Sequence, residues 1–136
     1  MLCSPAVLEI PVELGPRRYA VSVGHGLTRM LGDLLGSLRG RRIVLVASRR
    51  VFGLHGAPVV RALGALGRTT VAPVPDGERF KTAATLGRLH DAFLEARLGR
   101  DGLVVALGGG VVGDLAGFAA AVYQRGMPFV QVPTTL

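Results

Sequence analysis

A chain of 136 residues with 49% hydrophobic and 18% charged side chains has material for one core, and too much apolar surface to stay disordered. Its net charge of +7 raises the question of a polyanionic partner, but the arginines stand near the ends of apolar segments (Arg17 and Arg18, Arg41 and Arg42, Arg49 and Arg50, Arg97 and Arg100) and form no stripe, which argues against nucleic acid and suits a small anion better. No stretch approaches the roughly 18 apolar residues of a membrane span, no leader pattern opens the chain, and the single Cys3 has no partner for a disulfide or metal, so the default location is cytoplasmic and Cys3 an inert thiol.

The apolar runs Val7–Leu14 and Tyr19–Val23 flank Gly15-Pro16-Arg17-Arg18 and predict a hairpin. Leu27, Met30, Leu31, Leu34, Leu35 and Leu38 recur at helical spacing, with Gly40 closing the helix. Ile43–Ala47 is a continuous apolar run, as in a central parallel strand covered on both faces. Pro58 suits a helix's first turn, and Val59, Val60, Leu63 and Leu66 carry that helix to Gly67. Thr69–Val74 reads as the next strand, and Thr82 as the cap of a helix burying Leu86, Leu89, Phe93 and Leu98. Leu103–Leu107 is a third buried strand, followed by glycines, an apolar helix from about Asp114 to Tyr123, and a short strand at Phe129–Val132. The alternation predicts an α/β domain: a Rossmann-like, mainly parallel sheet with flanking helices and an amino-terminal β-hairpin. The chain stops after a strand, where the pattern calls for another crossover helix. A longer chain or a partner is expected to cover the sheet there.

Three turns carry candidate chemistry. Gly108-Gly109-Gly110-Val111-Val112-Gly113 follows a strand and opens a helix, the context in which glycines let backbone approach a pyrophosphate. It comes late in the chain, and no acid follows for a ribose, so it is not an ordinary dinucleotide fingerprint; close strand–helix packing is the plain alternative. Asp76-Gly77-Glu78-Arg79-Phe80-Lys81 occupies the turn after the preceding strand. There a carboxylate would accept from ribose hydroxyls and Lys81, the chain's one lysine, would donate to a hydroxyl or phosphate oxygen; the alternative is an Asp-Gly turn with solvated charges. Thr134 and Thr135 follow a strand in the same way. Asp114 is also explained by the dipole of its helix, and Arg125-Gly126 by a helix stop. His25, His55 and His90 make no zinc pattern and read as surface or loop residues.

Taken together, Pro75-Asp76-Gly77-Glu78-x-x-Lys81, Ala106 to Ala121, Tyr123-Gln124-Arg125-Gly126 and Gln131 to Leu136 closely resemble 3-dehydroquinate synthase, one of the sugar phosphate cyclases. The resemblance spans the chain, strongly after position 70. It implies that residues 1–136 are an amino-terminal NAD-binding domain, incomplete and lacking a helical carboxyl-terminal domain for metal and substrate. The cofactor-binding residues it implies are Asp76, Gly77, Glu78, Arg79, Phe80, Lys81, Gly110, Val111, Val112, Gly113, Asp114, Thr134 and Thr135. Arg125 is implied to contact substrate from the neighbouring subunit of a homodimer, its guanidinium suited to a carboxylate or phosphate. Ser48-Arg49-Arg50 departs from the family, which more often has an acid or amide after that strand.

The implied reaction converts 3-deoxy-D-arabino-heptulosonate 7-phosphate to 3-dehydroquinate, a phosphate-eliminating lyase step in the shikimate pathway to aromatic amino acids. Transient oxidation of one hydroxyl by NAD acidifies the neighbouring carbon, phosphate leaves, the hydride returns, and the ring opens and recloses. A divalent metal, zinc or cobalt, polarises substrate oxygens; the resemblance puts its ligands outside this chain, along with every catalytic residue, so the chain alone is expected to be inactive. The rivals are another sugar phosphate cyclase (a 2-deoxy-scyllo-inosose or valienone-type synthase), a metal-dependent glycerol dehydrogenase, against which the YxRG and QVPTTL segments weigh, and a non-catalytic nucleotide-binding or dimerisation module.

Overall fold

The computed structural model describes residues 7–135. Cys3 and Leu136, on which an inert thiol and the close of a motif were expected, lie outside that range.

The expected hairpin is present. Strand β1 (Leu8–Val12) pairs antiparallel with β2 (Tyr19–Val23), aligning Leu8 with Val23, Ile10 with Val21 and Val12 with Tyr19. With a side-chain period of two, these six apolar residues share one face. Helix α1 (Leu27–Leu34) is shorter than its apolar spacing suggests, because the chain tightens into a 3-10 turn at Gly36–Leu38.

Strands β3 (Ile43–Ser48), β4 (Thr69–Val74), β5 (Leu103–Gly108) and β6 (Phe129–Pro133) form one parallel sheet in the order β4-β3-β5-β6. Helix α2 (Arg49–Gly64) joins β3 to β4, α3 (Ala83–Glu95) joins β4 to β5, and α4 (Gly110–Val122) joins β5 to β6. The first crossover runs one way along the sheet and the next two run the other way, so right-handed connections put α2 on one face and α3 with α4 on the opposite one. The strand residues divide accordingly. Ile43, Leu45, Leu103, Val105 and Leu107 pack with Leu31, Val59 and Leu63, whereas Val44, Val46, Val104 and Ala106 pack with Leu89, Phe93, Ala116 and Ala119. Two cores flank one sheet, and β3 is central, parallel and wholly buried, as its apolar run predicts.

Two helix boundaries differ from expectation. Pro58 lies inside α2 and does not open it. Ser48 is the effective start, since its hydroxyl accepts from the Val51 amide at 3.3 Å and the helix follows the strand with no loop. A proline there removes the bond that the Leu54 carbonyl would have received, at a residue that is 70% exposed. Helix α4 starts at Gly110, not near Asp114, so the Gly-Val-Val-Gly stretch is its first turn.

Candidate functional site

The connections leaving β3 and β5 run to opposite sides: β3 leads outward to β4, and β5 leads the other way to β6. Where neighbouring parallel strands send their chains apart, a crevice opens beyond their carboxyl ends, and that is where ligands settle in open α/β sheets. The four loops at this rim begin at Ser48, Pro75, Gly108 and Thr134.

At the glycine turn the chain passes from β5 into α4 through Gly109 alone. Space is the reason for glycine here. A Cβ on Gly109 would stand 2.9 Å from the Thr135 hydroxyl oxygen, and one on Gly113 would stand 2.5 Å from the Gln131 amide nitrogen. The Thr134 amide donates to the Gly108 carbonyl at 3.1 Å, joining the end of β6 to the same turn. Gly110 is exposed, and a Cβ on it would meet nothing within 4 Å. Ser48 and Thr82 cap α2 and α3 through their hydroxyls, but no side chain caps α4. Its first amides therefore face the rim, where a helix's partial positive charge favours an anion.

The second turn comes from β4. Gly77, at φ 111, makes a reversal that other residues rarely adopt, and the chain then forms a 3-10 turn at Glu78–Phe80. The Arg79 guanidinium lies 4.9 Å from the Phe80 ring centre, leaving Lys81 to point at α4. Its Nζ is 2.7 Å from the Glu78 carboxylate and 2.7 Å from that of Asp114. Asp114 therefore reaches across to another loop, beyond the dipole role that its position suggests. The Asp114 hydrogen bond, and after it that of Glu78, raise the Lys81 pKa above its ordinary 10.5. The ammonium is fixed between two carboxylates that remain mostly exposed.

The thirteen expected cofactor residues thus fall on three connections along one rim, with Lys81–Asp114 tying the second to the third and the Thr134–Gly108 hydrogen bond tying the third to the fourth. Arg125 is elsewhere. It follows the carboxyl end of α4, which runs back along the sheet, so about 20 Å of helix separates it from the glycine turn of its own chain. Ser48 spends its hydroxyl on the α2 cap, with Arg49 and Arg50 exposed in the first turn. Sequence reasoning missed Gln131, whose amide lies over Gly113; its place three residues before the paired threonines was the available signal. His90, expected at the surface or in a loop, is half-buried on α3, its Nε2 3.2 Å from the Ala119 carbonyl. Among the described residues, no three His, Cys, Asp or Glu side chains gather to hold a metal ion, and no helix is long and apolar enough to cross a membrane. Nothing in this site fits a divalent metal.

A family model described as 3-dehydroquinate synthase N-terminal matches residues 71–136. The 3-dehydroquinate synthase of Pelotomaculum thermopropionicum is 51% identical over 129 residues, which are 93% of this chain and 35% of that protein. Among solved structures, a 2-deoxy-scyllo-inosose synthase complexed with carbaglucose-6-phosphate, NAD+ and Co2+ shares the fold at TM-score 0.86 and 22% identity, covering 94% of this chain and 36% of that one. A 2-epi-5-epi-valiolone synthase from Streptomyces hygroscopicus subsp. jinggangensis with NAD+ and Zn2+ bound is 31% identical at TM-score 0.68, covering 79% of this chain and 31% of that one. The chain thus spans about a third of the length of the proteins it matches.

Proposed function

Given that the chain belongs to the 3-dehydroquinate synthase family, we propose that it is the amino-terminal NAD-binding part of an enzyme converting 3-deoxy-D-arabino-heptulosonate 7-phosphate to 3-dehydroquinate with loss of phosphate. The supporting observation is the convergence of three loops at the switch point, joined by the Lys81–Asp114 bridge and by Thr135 over Gly109. Identity to a 3-dehydroquinate synthase, at 51%, exceeds the 31% and 22% to the two other cyclases, which favours this substrate over theirs.

In this reading, NAD supplies a reversible hydride acceptor for one substrate hydroxyl. The chain's residues bind and orient it. The uncapped amides of Gly110, Val111 and Val112 take pyrophosphate oxygens, and the glycines keep side chains out of that approach. Asp76, Glu78 and Asp114 offer acceptors to ribose hydroxyls, while Lys81 and the hydroxyls of Thr134 and Thr135 donate. A divalent metal, where the full-length family needs one, takes its ligands from outside this chain. Calorimetry of this chain with NAD tests the reading: one saturable site is expected, and a well-folded sample that takes up no NAD would overturn it.

The position of Arg125 supports a homodimer, in which this arginine serves the neighbouring copy's substrate. Its own rim is out of reach, and the outer face of α4 is self-complementary. Asp114 stands near one end, Arg125 beyond the other, with Phe118 (59% exposed) and Val122 (50% exposed) between. Antiparallel pairing of two such faces about a two-fold axis near Phe118 sets Arg125, seven residues beyond it, level with the partner's Val111, seven before it, at the glycine turn. Phe118→Glu is expected to shift this chain from dimer to monomer in sedimentation equilibrium; an unchanged mass distribution would exclude this face.

A further inference from the structure

Gln124 (φ 51), Arg125 (φ 65) and Gly126 (φ 107) are three consecutive residues with positive φ, and only the third is glycine. A side-chain-bearing residue in this region is uncommon, and two in succession persist only where the surroundings impose them. Glycine at 124 or 125 would relieve the turn, yet the chain carries there a glutamine and the arginine on which the proposed substrate contact rests.

The surroundings that impose it are specific. Tyr123 is buried, its ring 5.3 Å from that of Phe93 in an edge-on arrangement and 5.7 Å from that of His90. Its hydroxyl donates to the Leu98 carbonyl at 3.2 Å. That carbonyl belongs to the turn after α3, itself bent through Arg97 at φ 51 and closed by the Leu98 amide on the Phe93 carbonyl. Behind Tyr123, the Met127 amide bonds the Ala120 carbonyl at 2.8 Å and the Gly126 amide bonds the Tyr123 carbonyl at 2.9 Å. Residues 124 and 125 are thus bridged between two fixed points, Tyr123 and Met127. Among the described residues, the Arg125 guanidinium has no ion pair of its own, and this backbone sets the direction in which its side chain leaves the chain.

We infer that Tyr123 is a positioning residue: through its hydroxyl bond to Leu98 it locks the left-handed turn that presents Arg125 outward to an anionic group of the substrate. The inference rests on the proposed reading that Arg125 binds substrate. Without the bond the turn gains freedom, and the guanidinium must be ordered anew at each binding event.

The test uses the family's full-length enzyme with this chain as its amino-terminal part, and reads KM and kcat for the sugar acid phosphate. Tyr123→Phe keeps the ring and removes the hydroxyl, and is expected to raise KM about tenfold with kcat and NAD affinity within about twofold. Arg125→Ala is expected to raise KM further, and adding Tyr123→Phe to it to change nothing more, because a positioning residue has no effect once its charge is gone. A Tyr123→Phe effect of equal size in both backgrounds, or none in either while Arg125→Ala is impaired, overturns the positioning role alone. An Arg125→Ala enzyme with normal KM overturns the substrate reading together with it. Gln124→Gly serves as a second probe, as it loosens the same turn while leaving the Tyr123 hydroxyl bond in place. It is expected to raise KM in the same direction, and a normal KM there counts against the role even if Tyr123→Phe does not fold.

Discussion

Lys81→Ala is expected to weaken NAD binding to this chain by roughly ten- to a hundredfold, the range for losing a charged hydrogen-bond partner, while its thermal midpoint stays close to the wild-type value. The two parts follow from one geometry. Lys81 spans two segments of the rim, with Glu78 and Asp114 each at 2.7 Å, and removing it leaves two carboxylates facing each other where, in the proposed reading, pyrophosphate and ribose lie. Both partners are well exposed, so water takes over their solvation and the fold loses little. Lys81→Arg is expected to recover only part of the affinity, because a planar fork does not fit between two carboxylates as a compact ammonium does. The pH dependence carries the same signature. The Asp114 and Glu78 bonds hold the Lys81 proton more tightly in the folded chain than in an unfolded one. A raised pKa means that the ammonium half of the bridge is fully charged below pH 10.5 and is lost as pH climbs through the raised folded value. The Lys81 contribution to NAD affinity is therefore flat between about pH 6 and 9 and falls only in strong alkali. Calorimetry checks each statement, and unchanged affinity in a Lys81→Ala sample that melts like the wild type removes this residue from the site.

Much of this site was legible in the sequence because each of its pieces sits on a local signal. The apolar runs at Ile43–Ala47 and Leu103–Leu107 mark buried strands, Thr82 marks a helix start, and the turns that follow such strands are bound to share an edge. What could not be read is what depends on meetings distant along the chain. Asp114 and Lys81 are both charged residues next to turns, and nothing in either neighbourhood says that they touch. Helix α4 begins at Gly110, with Thr135 and Gln131 close over Gly109 and Gly113; on propensity alone, those glycines argue for a loop. Pro58 misled in the opposite direction. Proline favours a first turn, but a serine cap ten residues upstream in a buried strand end decides where α2 starts, and the lost bond falls at Leu54, an exposed residue. Arg125 was visible as a cation after a helix, whereas the two left-handed residues that aim it were not, since neither Gln124 nor Arg125 advertises that conformation.

The largest stability effect is expected away from the rim, at Gly67→Ala. Gly67 lies between α2 and β4, where its amide bonds the Leu63 carbonyl at 3.2 Å, while the Gly40 amide bonds the neighbouring Leu66 carbonyl at 2.7 Å and the Ile43 amide bonds the Arg68 carbonyl at 2.9 Å. These bonds press the chain leaving α2 against the chain entering β3. A Cβ on Gly67 would stand 2.0 Å from the Arg41 carbonyl oxygen, which is backbone and cannot turn aside as a side chain does. Either the entry to β3 moves, disturbing the central strand and its pairing with both β4 and β5, or the hydrogen bonds that close this crossing open. Overpacking of this kind costs about 2–4 kcal/mol, which for a chain of this length lowers the melting midpoint by roughly 10 °C. Gly87→Ala provides the contrast, as that glycine is exposed inside α3 with nothing within 4 Å of an added Cβ. There alanine removes backbone freedom from the unfolded chain at no steric cost and is expected to stabilise by up to about 1 kcal/mol. Thermal unfolding of the two variants followed by circular dichroism separates the cases: opposite signs are expected, and a Gly67→Ala chain as stable as the wild type would show that the crossing of these two segments is not the tight contact that the geometry describes.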